Sequence, residues 1–153
     1  MDILVTTPKS EHETAKMEGE ALADGNGYWF RVFPRRPNVQ RGDKVYFVDG
    51  GVIRGYGVVF CDVEQLEEPE ECDLTGRIWG HRGSWCVRYH EWQWLPLPVP
   101  FKGFQGFRYV SRIPGLQEKL RQGPGRALVA VDKALGGALS VGMKAVLGSH
   151  AGS

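Results

Sequence analysis

Apolar positions fall into short continuous or alternating runs separated by Gly and Pro, a strand pattern rather than long helical stripes. Ile3-Leu4-Val5-Thr6-Thr7, stopped by Pro8, reads as a buried first strand. Ser10 with Glu13 three residues later forms a capping box, predicting a surface helix that reaches Asp24 and stops at Gly25-Asn26-Gly27. Tyr28 to Phe33 is the next strand, with Trp29 or its neighbours facing a core, broken by Pro34-Arg35-Arg36-Pro37. The turn Arg41-Gly42-Asp43 leads into Lys44 to Val48, and Asp49-Gly50-Gly51 is a hairpin signal before Val52 to Phe60. Gly55 and Gly57 share one face of that strand, which predicts sheet curvature or a close approach by another group.

Beyond it, Glu64 to Asp73 reads as an acidic surface loop. Ile78-Trp79 and Ser84 to Tyr89 are strands flanking Gly80 to Gly83. Trp92 and Trp94 lie on a further extended segment, and Pro96, Pro98 and Pro100 keep the following stretch extended. Lys102 to Val110 leads into a last strand, Leu116 to Gln122 is a short helix and Gly123-Pro124-Gly125 a linker. The sum is an α+β fold, a small curved β-sheet or pseudo-barrel of about six strands with an N-terminal helix. It spans residues 1–122, with 123–153 a Gly/Ala-rich C-terminal tail or weak helix.

Composition sharpens this picture. All 17 aromatics of the 153 residues lie between Tyr28 and Tyr109, so the core is built there. Hydrophobic residues at 42% exclude disorder for most of the chain. The net charge of +1 is a cancellation: residues 1–24 carry −4, 25–61 carry +4, 62–73 carry −7 and 74–126 carry +7. Such segregation gives a dipolar surface able to steer charged ligands.

The three cysteines, an odd number without C-x-x-C, read as reduced thiols of a cytoplasmic protein. The spacings of Cys61, Cys72, His81, Cys86 and His90 match no zinc motif, so no metal and no cofactor is expected. Met1 to Pro8 lacks a basic n-region, and Ala127 to Leu147 is interrupted by Asp132, Lys133 and Lys144. Neither a signal peptide nor a membrane partner is expected.

No nucleophile elbow, phosphate loop, H-E-x-x-H or dinucleotide fingerprint is present. His90-Glu91 is a candidate acid–base pair, weakened because neighbours on a regular strand point to opposite faces. The stronger signal is basic residues interleaved with aromatics: Tyr28 to Arg36, Trp85 to Trp94 with Arg88, and Lys102 to Arg112. Guanidinium and ammonium groups neutralise phosphates, and flat rings stack on unpaired bases. The competing interpretation is that the rings are core and the basic residues their solvated neighbours.

The stretch RGDKVYFVDGGVIRGYGVV, with the early strand and helix and the later PLPVPFKGFQGFRYV, resembles the PUA-like superfamily, within it the EVE and ASCH groups. The resemblance covers about residues 1–120. The G-x-K-x-x-E-x-R pattern of the ASCH group is absent, and with it the basis for that group's ribonuclease-like activity. The resemblance implies a pseudo-barrel whose concave pocket binds RNA or holds a flipped modified base, here lying between Trp29–Arg36 and Lys102–Tyr109. Trp29 and Trp85 are then candidates to stack a base, Gln105 to read its edge, and Arg31, Arg35, Arg36, Lys102 and Arg108 to hold phosphates. The expected function is a nucleic-acid-binding module for RNA or modified-base DNA, without catalytic residues. The alternative is a small hydrolase or nuclease using His90 and Glu91. A second copy of the chain is a further candidate partner, through the acidic and basic stretches.

Overall fold

The computed structural model describes residues 1–7 and 27–121, and the backbone of 143–145. The helix expected at 10–24 and most of the tail lie outside the described residues. Among the described residues the chain is mostly strand: β1 (Ile3–Thr6), β2 (Gly27–Phe33), β3 (Lys44–Asp49), β4 (Val52–Val59), β5 (Glu64–Gln65), β6 (Glu70–Glu71), β7 (Ile78–Trp79), β8 (Trp85–Pro100), β9 (Phe107–Tyr109) and β10 (Met143–Ala145). Helix is limited to a 3-10 turn at Val110–Arg112 and one α-turn, α1 (Leu116–Leu120).

One sheet runs in the order β10-β2-β8-β4-β3-β1-β9, with β5 added on β8; β6 and β7 form a separate small hairpin. From β2 to β9 the sheet curls into a half-barrel, and Phe33 of β2 meets Phe107 of β9 with ring centroids 5.0 Å apart. Met143–Ala145, from the stretch read as tail or weak helix, is a strand lying antiparallel on β2.

β1 is parallel to β3 and antiparallel to β9, so it is an interior strand. Its Ile3 and Val5 enter one core with Trp29, Phe47 and Tyr89, while Leu4 enters a second with Tyr46, Val48, Ile53 and the two leucines of α1. Burial on both faces explains the absence of polar alternation in β1 and β3.

The β3–β4 hairpin turns on Gly50 and Gly51 at φ 60° and 80°, as a turn of two left-handed residues requires. Side chains at Gly55 and Gly57 would collide with the Trp92 and Tyr89 rings respectively, so these glycines make room for rings from β8. The prolines keep the chain extended, at the end of one 16-residue strand, β8, that joins segments read separately from sequence. Its register against β4 shifts between Ile53 and Gly55, opposite Val99 and Trp94, so Leu95 to Pro98 stand against Arg54 alone, an irregularity that tolerates missing donors.

No helix among the described residues is long and apolar enough to cross a membrane.

Candidate nucleic-acid interface

Two segments meet where β2 and β9 approach. Pro34 has no N–H to continue the ladder, so the chain leaves β2 and carries Arg35 and Arg36 out exposed. The loop is tethered: the Asn38 N–H donates to the Tyr109 hydroxyl at 2.9 Å, and the Met1 amine donates to the Asn38 carbonyl at 3.0 Å. The Met1 amine also pairs with Asp43 Oδ2 at 2.7 Å, and the same oxygen accepts the Gln40 N–H. Opposite lie β9 and the 3-10 turn.

Between them is a cavity of about 380 Å³ lined by Arg35, Arg36, Phe107, Arg108, Tyr109, Arg112 and Ile113. Each of its four arginines lies over a ring: Arg35 over Phe107 at 5.7 Å, Arg36 over Trp85 at 5.2 Å, Arg108 over Phe104 at 4.6 Å and Arg112 over Tyr109 at 4.7 Å. None of these four arginines is in an ion pair with a described carboxylate. Among the described residues, Arg108 Nη1 donates to the Gln105 and Phe107 carbonyls alone. A guanidinium lying flat on a ring keeps its in-plane N–H donors for another acceptor. Four uncompensated cations around one cavity repel one another, and an anion relieves that repulsion.

Of the residues singled out from sequence, Arg35, Arg36 and Arg108 are brought together here. Trp85 is half-buried and supports Arg36. Lys102 and Gln105 are exposed nearby in sequence but do not line the cavity, and Gln105 contributes its carbonyl to Arg108. Trp29 and Arg31 do not line the cavity. Trp29 is 1% exposed, packed against Phe47, Tyr89 and Trp92 inside the barrel, so its faces are closed to a base. Arg31 is 8% exposed and donates from Nη1 to the Thr6 carbonyl at 2.9 Å, bridging β2 to β1. Phe107, Tyr109 and Arg112 also line the cavity, though the sequence assigned them no individual role. Their signal was the basic–aromatic run ending at Arg112, which the turn after β9 folds back onto the site.

The acidic segment is partly neutralised within the chain. Arg88 of β8 pairs with Glu64 at 2.8 Å and Glu70 at 3.3 Å. Beneath it, burial pushes the Cys86 thiol up to about 12, with Arg88 opposing. All three cysteines are thiols, and no three described His, Cys, Asp or Glu side chains gather as a metal site.

His90 and Glu91 are closer than strand alternation allows. Glu91 has φ 57° at the second register shift of β8, and His90 Nε2 lies 3.5 Å from Glu91 Oε2. Both are substantially exposed, and neither lines the arginine cavity.

Comparison with known proteins finds no matching family model, no matching curated protein and no matching solved structure.

Proposed function

We propose that this chain is a nucleic-acid-binding module of PUA-like type that takes RNA or modified-base DNA at the arginine cavity. The observation that carries this reading is the set of four ring-supported arginines, none paired with a described carboxylate, around about 380 Å³. The cavity is at the small end of the ~300–1,000 Å³ range of ligand sites, so it suits a single nucleotide unit. Because the ring faces already carry guanidiniums, a base stacks on an arginine plane rather than on a bare indole. Arg35, Arg36, Arg108 and Arg112 serve the phosphates, and Trp85 and Phe107 hold two of them in place. The curled sheet is compatible with a PUA-like pseudo-barrel.

Titration of labelled single-stranded RNA and DNA over a salt series tests this. Affinity should fall linearly in log–log form, and Arg35→Ala with Arg36→Ala should flatten the slope by about 2, roughly one per lost phosphate contact. Absent binding, or a slope unchanged in the double variant, rejects the reading. A hydrolytic role for His90 and Glu91 would instead show as cleavage lost in His90→Ala.

A further inference from the structure

We infer that the arginine cavity selects a phosphomonoester at the end of a strand over a phosphodiester within one. This rests on the nucleic-acid reading of the same cavity and names its ligand.

Charge is the first ground. The cavity presents four guanidiniums, and no carboxylate lines it. An internal diester brings one negative charge, whereas a monoester at neutral pH brings about −1.5 to −2 and three terminal oxygens. The dianion therefore neutralises more of the site and accepts from more of its forks. Tyr109 adds a further donor, because its oxygen accepts from Asn38 while its own proton is given to no described acceptor.

Shape is the second. An internal nucleotide needs two exits for its chain, while a terminal one needs a single exit. On one flank the cavity is bounded by Arg36 seated on Trp85. Trp85 pairs with Gln65 of β5, and Glu64 lies beside it opposite Cys86. Exposed Glu67 and Glu68 follow. Glu64 is held by Arg88, but β5 belongs to the acidic stretch 62–73, net −7, whose field disfavours a polyanion on that side. A strand that leaves by the other flank presents an end phosphate on this side.

The test uses the full chain and labelled single strands of about ten nucleotides, RNA and DNA, with a 5′-phosphate, a 3′-phosphate or hydroxyls at both ends. Inorganic phosphate and a nucleoside monophosphate serve as competitors. One phosphorylated end should bind about tenfold tighter than the hydroxyl form, and the advantage should shrink below about pH 6, where the monoester becomes a monoanion. Arg108→Gln and Arg112→Gln, checked for folding by circular dichroism, should reduce that advantage. Equal binding of all three strands overturns end selection while leaving nucleic-acid binding intact. Failure of every strand, with inorganic phosphate or the monophosphate still bound, overturns both end selection and the nucleic-acid reading and leaves a small-phosphate site. Failure of all ligands overturns both.

Discussion

The backbone N–H of Asn38 donates to the hydroxyl of Tyr109 across 71 positions of sequence. That bond ties the Arg35–Arg36 loop to β9, so the two halves of the cavity are held at a fixed separation. The ring beneath it also supports Arg112.

Tyr109→Phe keeps the ring and deletes the acceptor. Because the Asn38 amide is exposed and can turn to water, the stability cost should be at most about 1 kcal/mol. Oligonucleotide affinity should fall by about threefold or more as the loop loosens, since fixed donors bind at a lower entropic cost. Urea unfolding and fluorescence anisotropy on the same preparation separate the two effects. Undiminished affinity would mean that the Met1 and Asp43 contacts hold the loop unaided.

Arg31→Met separates a core role from a phosphate-binding one. The Thr6 carbonyl loses its Arg31 donor, and a cost of about 1–3 kcal/mol should follow from leaving it unsatisfied. The salt slope of oligonucleotide binding should not change. A flattened slope would return Arg31 to the interface.

Gly55→Ala should destabilise the fold by about 1–3 kcal/mol or more, because its Cβ meets both the Trp92 ring and the Gln93 carbonyl. Gly103→Ala is the comparison: there the nearest atoms belong only to the Thr6 side chain, the closest at 3.1 Å, and a smaller cost is expected. Equal denaturation midpoints for the two variants would argue against the ring-on-glycine packing.

Alkaline pH should destabilise the protein through Cys86. Its thiol is raised by burial from an ordinary value near 9 to about 12. The unfolded chain therefore releases this proton first, and the folded state keeps its full advantage only below pH 9. Stability drains away as pH climbs from 9 towards 12. Burial raises the Tyr46 hydroxyl in the same direction. Urea midpoints measured from pH 7 to 10.5 should fall above about 9, with a shallower fall in Cys86→Ala. A flat profile in the unsubstituted protein would contradict the burial of both groups.

The short strands were legible because turn chemistry marks their ends: Gly50-Gly51 between β3 and β4, Pro34 after β2. What alternation left open was which rings are core. In a curled sheet both faces are covered, so Trp29 and Phe30, consecutive in β2, are both buried, and a period of two no longer separates inside from outside. The same limit applies at His90 and Glu91, where a bulge with a left-handed residue cancels the alternation that had separated them. The arginines of the cavity were legible in part, because Arg35, Arg36 and Arg108 stand in basic–aromatic runs. Arg112 ends the same run as Arg108, but its place in the site depends on the 3-10 turn that brings it back.

Placing β1 between β3 and β9 has a consequence for the order of folding. β1 is synthesised before both of its partners and cannot complete its ladders until residues as late as Tyr109 have been made. Until then Ile3, Leu4 and Val5 belong to no finished sheet, and the growing chain exposes an apolar run with open edges on both sides. Long-range closure of this kind slows folding and invites pairing with a neighbouring nascent chain. The half-barrel therefore closes late, around a strand made well before its partners.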